Sequence, residues 1–265
     1  MAGLPREDFP TLPEAKGPQG VELPGDALRE LIARTAFVIT AEDARYYLAG
    51  ALLILEKTAM SMVATDGHRL SYASCKVPLP VSDAQRVLVP RKAIQELSRL
   101  LETETAATFQ QVENHLVFNV GDRTLASKTI EGQFPAFEKV IATSGDKTVT
   151  VGRETLATAI RRVSLLSVER SRAIKLGLSA GRVDLAASSP DLGEARESVP
   201  VEYTGGAVDI GFNAQYLLDF LAAAGTEEVL LELKDHESQG VLKPVPAKKD
   251  ASAIDYRYVV MPMRL

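Results

Sequence analysis

The sequence predicts an α+β chain of two tandem modules, each with two helices backed by antiparallel sheets. Three observations carry that prediction. One dipeptide motif recurs: Phe9-Pro10 and Phe134-Pro135 lie 125 residues apart, and Met261-Pro262 follows 127 residues later. Longer stretches recur with nearly the same period. Leu23–Ile32 returns 128 residues on as Val151–Ile160, and Val89–Ile94 returns 123 residues on as Phe212–Leu217, with Leu97 falling on Phe220. Within each repeat, stretches of helical spacing alternate with β-rich runs broken by glycine turns. A period near 125 residues fixes architecture before any local propensity does.

Composition agrees with a globular chain of ample core: 46% hydrophobic and 25% charged over 265 residues. No apolar run reaches the length of a membrane span. The first residues, Met1–Asp8, lack the basic start and apolar stretch of a signal peptide. Cys75 is the sole cysteine, so no intrachain disulfide forms and a cytoplasmic location is expected. The net charge of −5 argues against a nucleic-acid partner, but its distribution is uneven. Residues 151–182 hold Arg153, Arg161, Arg162, Arg170, Arg172, Lys175 and Arg182 against Glu154 and Glu169.

The elements follow in order. Residues 1–20, rich in Pro and Gly, read as an extended connector. The first module spans about 21–146. Asp26–Thr35 has helical spacing, with Leu28, Leu31 and Ile32 on one face. Tyr46–Leu55 and Thr58–Ala64 are rich in β-formers, and Asp66-Gly67 marks a hairpin turn because both residues tolerate positive φ. Pro90 suits a first helical position, and Arg91–Glu102 carries Ile94, Leu97 and Leu101 at helical spacing. His115–Val120 and Arg123–Lys128 flank a second turn at Gly121-Asp122. The second module, about 147–265, repeats the order: strand Thr148–Val151, helix Glu154–Leu165, a hairpin around Gly181, and a strand pair Ala195–Tyr203 and Ala207–Phe212. A helix capped by Asn213 runs to Ala224. Strands Glu228–Lys234, Gly240–Val245 and Tyr256–Met261 complete it.

A catalytic constellation is not found. His68, His115 and His236 lack zinc-site spacing, and Cys75 cannot complete one. There is no Walker-type or dinucleotide loop. Ser71, Ser74 and Cys75 have no evident base and orienter. Thr65-Asp66-Gly67-His68-Arg69 packs an acid, an imidazole and a guanidinium together, but the turn explains the first two and the return strand the rest. No enzyme, metal or cofactor is expected.

Ala64-Thr65-Asp66-Gly67-His68-Arg69-Leu70 and the C-terminal Tyr258-Val259-Val260-Met261-Pro262-Met263-Arg264-Leu265 resemble signatures of the bacterial DNA sliding clamp, the beta subunit of DNA polymerase III. Arg45-Tyr46-Tyr47-Leu48, Val89-Pro90-Arg91-Lys92, Ser127-Lys128 with Gly132-Gln133-Phe134-Pro135, and Gly211-Phe212-Asn213 with Tyr216-Leu217-Leu218 match as well, in order along almost the whole chain. The family's chain has three modules. This one resembles the second and third, preceded by Leu4–Pro10, which is similar to the connection out of the first.

The resemblance implies a function. In the family, six modules close a ring around duplex DNA with helices lining the hole. Arg91, Lys92, Arg153, Arg161 and Arg162 lie on or beside the helices and are the candidates for that lining, with Tyr46 on a neighbouring DNA-touching segment. Asp219 is the sole charge on the last helix, so the lining would be unevenly positive. The family also binds short, partly hydrophobic peptides of polymerase subunits, the clamp loader and repair proteins. The matching positions are Leu48, Thr65, Gly67, His68, Arg69, Leu70, Pro135, Val140, Asn213, Tyr216, Val260, Met261, Pro262, Met263 and Arg264. Met261 and Met263 are flexible enough to accept varied sequences. Ser171 stands where some members have an aromatic, and Lys139 where some have Arg. If six modules are needed, two per chain imply a head-to-tail homotrimer, in which the last module docks on the exposed edge of the one before it. The alternative is a non-encircling form that binds partner peptides as a decoy or recruitment module.

Overall fold

A computed structural model of the chain describes residues 20–40, 45–168, 171–191, 193–246 and 254–264. The connector expected over residues 1–20 lies outside them except for Gly20. The first half runs β1 (Val21–Pro24), α1 (Gly25–Thr35), β2 (Gly50–Glu56), β3 (Ala59–Thr65), β4 (Arg69–Lys76), β5 (Gln85–Pro90), α2 (Arg91–Leu100), β6 (Ala106–Val112), β7 (His115–Val120) and β8 (Arg123–Lys128). A short helix, α3 (Glu138–Ile141), leads into the second half. That half runs β9 (Lys147–Gly152), α4 (Arg153–Ser164), β10 (Ala173–Ser179), β11 (Arg182–Ser189), β12 (Gly193–Pro200), β13 (Val208–Asn213), α5 (Ala214–Ala223), β14 (Glu228–Leu233), β15 (Gly240–Val245) and β16 (Asp255–Val260).

The strands form one eight-stranded and two four-stranded sheets, every pair antiparallel. The orders repeat. β5-β2-β3-β4 in the first half matches β13-β10-β11-β12 in the second, and β1-β6-β7-β8 matches β9-β14-β15-β16. The eight-stranded sheet arises because β4 pairs with β16, Ser71 lying opposite Tyr258. That ladder joins the halves, and Arg69 begins it opposite Val260.

Local chemistry explains the elements. The buried Ala93, Ile94 and Leu97 recur at helical spacing on α2, giving it one apolar face. On β16, Tyr256, Tyr258 and Val260 join the core beneath the helices, whereas Val259 faces the opposite side, as the two-residue period of a strand requires. On that opposite side, Phe134, Phe137, Val140 and Ile141 cover Leu52, Ile54, Val63, Leu70, Leu88, Val241 and Val259. The segment between the halves is therefore a lid over the continuous sheet. Asn213 caps α5, its side-chain oxygen accepting from the N–H groups of Gln215 and Tyr216 at 2.9 and 3.3 Å.

Three local expectations change. Tyr46–Leu48 is a 3₁₀ turn instead of strand, closed by Leu48 N–H to Arg45 O at 2.8 Å and Ala49 N–H to Tyr46 O at 3.0 Å. Pro90 does not start a helix: it ends β5 in extended conformation, with φ −61° and ψ 148°, and α2 begins at Arg91. A proline is tolerated there because β5 is an edge strand and needs no further ladder donor. The strands predicted at Ala195–Tyr203 and Ala207–Phe212 do not pair with each other. β12 pairs with β11 and β13 with β10, so they flank their sheet on opposite sides.

Phe220 of α5 is fully buried and stacks on Tyr258, with ring centroids 5.3 Å apart. Phe220→Ala is expected to cost about 3–5 kcal/mol, read as a lower midpoint in urea with an unchanged slope.

Candidate functional site

The Thr65–Leu70 turn, Asn213, Tyr216 and the C-terminal segment come together where the halves meet. At the start of β4, Asp66 closes the turn. One of its oxygens accepts from the N–H groups of His68 and Arg69, at 2.9 and 3.0 Å, and the other pairs with Arg69 Nε at 3.0 Å. Gly67 has φ +87°, and an added Cβ there would meet the Arg45 guanidinium at 2.7 Å. Arg45 donates to Asp66 O at 3.1 Å. Thr65 is buried, donating to Arg69 O and accepting from Gly67 N–H. The Asp66 carboxylate, the backbone N–H of His68 and the Arg69 guanidinium thus build the turn.

Arg69 then reaches across the junction. Its Nη1 lies 2.6 Å from Asp219 Oδ2 on α5 and 3.3 Å from the Tyr258 hydroxyl, and its Nη2 donates to Phe37 O at 3.4 Å. The guanidinium sits 4.2 Å from the Tyr216 ring centroid and 5.7 Å from that of Phe37. Burial opposes the charge, but Tyr258, Asp219 and Asp66 more than offset it and hold the pKa above the ordinary arginine value. Tyr258 is fixed in turn by donating to Tyr216 O at 2.9 Å. Asp219 therefore sits half-buried on this junction, held by Arg69 and by Gln215 at 2.7 Å.

The C-terminal segment runs alongside. Met261 N–H donates to His68 O, and Met263 N–H to Gly211 O, both at 2.8 Å. Met261 is 38% exposed, and His68 is exposed beside it. Pro262, Met263 and Arg264 line an open cleft of about 710 Å³ with Ile210, Gly211, Asp209, His236 and Glu237. Asn213 donates to Ser171 O at 3.3 Å, which brings Ser171 to the same rim. Leu70 and Val140 share the apolar cluster on the outer sheet face. Val260 and Leu48 are buried, Val260 within the core beneath the helices. Pro135 is placed apart, exposed at a separate cleft of about 400 Å³ with Arg86, Leu88, Ile130 and Glu138. Leu265 lies outside the described residues.

The basic candidates divide by what already holds them. Arg153 donates to Thr226 O at 2.7 Å and Leu221 O at 3.3 Å, tying the start of α4 to the end of α5. Arg162 is paired with Glu197 of β12. Arg161 reaches Glu154 at 3.1 Å but is 56% exposed. Arg91 and Lys92 open α2, half-buried and exposed respectively. Tyr46 is 60% exposed, packed edge-on against Tyr47. Sequence reasoning missed Phe37 as a support of Arg69 and Arg45 as a support of the Asp66 turn. Their signals, one aromatic after a helix and one arginine in a loop, acquire meaning only from their neighbours.

Arg69→Ala is expected to cost about 2–3 kcal/mol, below the full price of a buried pair because Asp219 keeps some solvent. Adding Asp219→Ala should cost less than in an otherwise normal chain, which a double-mutant cycle by thermal melting checks. Tyr256 and Tyr258 have pKa values pushed well above 10.0, first of all by burial. Their folded pKa exceeds the unfolded one, so this stability is complete below pH 10 and lost as pH rises above it. Denaturant titrations at pH 9 and 11 should show the drop, and Tyr256→Phe should reduce it.

Comparison with known proteins places the chain. The model of the DNA polymerase III beta subunit central domain matches residues 22–136, and that of its C-terminal domain matches residues 138–264. The beta sliding clamp of Pseudomonas putida is 41% identical over 266 residues, covering 100% of this chain and 71% of that protein. That of Escherichia coli K12 is 36% identical over 267 residues, with the same coverage. A crystal structure of the DNA polymerase III subunit beta from Pseudomonas aeruginosa matches with TM-score 0.91 and 42% identity, covering 99% of this chain and 70% of that one. A clamp from Bartonella birtlesii bound to griselimycin matches with TM-score 0.88 and 33% identity, over 99% and 70%. The chain therefore belongs to the bacterial beta sliding clamp family, whose members are processivity factors and not enzymes.

Proposed function

We propose that this chain is a cytoplasmic DNA sliding clamp that surrounds duplex DNA and tethers polymerase subunits, the clamp loader and repair proteins through short hydrophobic peptides. One observation carries the tether: the Thr65–Leu70 turn, the Asn213–Tyr216 helix start and the Val260–Arg264 tail converge at one junction. An apolar groove with polar groups at its rim suits a peptide anchor. Met261 supplies an exposed, adaptable wall, and the Tyr216 ring is held rigid under Arg69. A rigid floor with a pliable wall binds varied apolar side chains at low ordering cost.

Sliding needs the opposite chemistry. Contacts to phosphate are the same at every step, whereas contacts to base edges would pin the ring. Arg91, Lys92 and Arg161 are the proposed phosphate partners; Arg153 and Arg162 serve the fold first. Asp219 does not burden this face, because Arg69 holds it. Closing such a ring requires copies of the chain to associate.

Two variants separate the activities. Met261→Ala should weaken a fluorescent hydrophobic peptide from a polymerase subunit by roughly tenfold in anisotropy titrations, leaving retention on nicked circular DNA intact. Lys92→Glu with Arg161→Glu should spare peptide binding and lower the salt slope of DNA association by about 2. Peptide binding unchanged by Met261→Ala rejects the groove. Unmodified chain that binds peptide but is never retained on circular DNA rejects the ring.

A further inference from the structure

Among the described residues, methionine reaches the surface at one place. The sequence holds Met1, Met60, Met62, Met261 and Met263. Met1 lies outside the described residues. Met60 and Met62 lie on β3, fully buried in the core beneath the helices. Met261 is 38% exposed, and Met263 is partly exposed. Both belong to the C-terminal segment, Met261 beside His68 at the proposed groove and Met263 in the adjoining cleft with Ile210 and Gly211. The other sulfur, that of Cys75, is half-buried and donates to Met60 O at 3.5 Å. Burial pushes its thiol pKa up, which leaves less of the reactive thiolate.

A thioether in a binding wall is open to a two-electron oxidant such as hydrogen peroxide. A lone pair of the sulfur attacks one peroxide oxygen. An S–O bond forms as the O–O bond breaks, and the departing hydroxide takes the proton shed by the transferred oxygen and leaves as water. The sulfur loses two electrons and the peroxide gains them. The sulfoxide that results is polar and chiral where the thioether was apolar and pliable. An apolar partner side chain pressed against it would bury the new acceptor without a donor, which costs as much as a lost hydrogen bond. The main chain offers no relief. Met261 N–H is bound to His68 O and Met263 N–H to Gly211 O, both at 2.8 Å, so the backbone keeps both side chains where they are.

We propose that Met261 is a site of reversible sulfoxidation by peroxide, which switches off peptide binding and leaves DNA association unchanged. The inference rests on the groove reading above. Two contrasts support it. The exposed methionine is the one at the groove, whereas Met60 and Met62, whose oxidation would disrupt the core, are shielded from solvent. The proposed phosphate partners Arg91, Lys92 and Arg161 lie on α2 and α4, which contain neither methionine nor cysteine. Peroxide thus acts on the tether and spares the sliding face: partner peptides are released while the cationic helices stay as they were. Methionine sulfoxide reductases, one for each epimer, return the sulfur to the thioether and restore the wall.

Graded peroxide treatment of the folded chain tests the site, in a Cys75→Ser background that removes the thiol. Peptide mapping by mass spectrometry should show Met261 oxidised at least about tenfold faster than Met60 and Met62. Once catalase has destroyed the peroxide, the fluorescent polymerase-subunit peptide should bind at least about tenfold more weakly, with the thermal midpoint and duplex DNA association unchanged. Sulfoxide reductases of both epimer classes should bring the affinity back. Met261→Leu, whatever its own starting affinity, should lose less than about twofold on the same treatment, because it carries no sulfur at that position. An equal loss in Met261→Leu overturns the assignment. Full peptide affinity in a chain whose Met261 is mapped as sulfoxide overturns the switch, as does a loss that tracks a falling thermal midpoint. A matching loss of DNA association overturns its selectivity. Untreated chain that binds no peptide rejects the groove reading itself and this inference with it, an outcome distinct from binding that peroxide leaves intact.

Discussion

Arg69 sits where the two modules become one body, and the proposed groove depends on its charge being satisfied. A guanidinium this deeply placed is costly unless its donors all find acceptors. Asp66 fixes it from its own turn, Asp219 and Tyr258 from the second module, and the Phe37 carbonyl from the first. The same contacts hold Tyr216 flat beneath it and align β4 for pairing with β16. The proposed peptide groove would then be a by-product of how the modules are joined, with Arg69 and Tyr216 serving both the junction and the proposed binding.

The proposed functions place opposite demands on one framework. Holding a partner peptide needs shape, a rigid aromatic and a pliable methionine. Sliding needs cationic groups with no preferred register. The repeat separates these demands in space. The proposed groove lies at the junction of the two modules. The proposed phosphate partners lie on α2 and α4. Arg153 and Arg162 show the limit of counting charges: one is tied to backbone carbonyls and the other to a carboxylate, so neither is a freely offered cation.

Unpaired strand edges invite association, and natural sheets normally blunt them. β12 bears Glu194, Arg196 and Glu197, which discourages indiscriminate pairing. β8 carries Arg123 and Lys128 at its two ends. Charge at an edge thus serves exclusion.

Period and turn chemistry made most of the architecture legible from sequence. Apolar spacing located α1, α2, α4 and α5 to within a residue or two at their starts. Asp66-Gly67 and Gly121-Asp122 announced their hairpins, and Asn213 its helix, because these are short-range effects of backbone sterics and capping. Strand partnership was not legible in the same way. β12 and β13 are neighbours in sequence yet flank opposite sides of their sheet, since pairing is decided by long-range packing and not by adjacency. Tyr46–Leu48 has strand composition but turns, because Leu48 is drawn into the interior. The sequence by itself determined the repeat, the helices, the turns and the family resemblance. Only the tertiary structure decided that Arg69 and Asp219, 150 residues apart, satisfy one another, and that Arg153 is spent on carbonyls. Such facts depend on which groups share a neighbourhood and leave each other no better partner, and no local pattern encodes that.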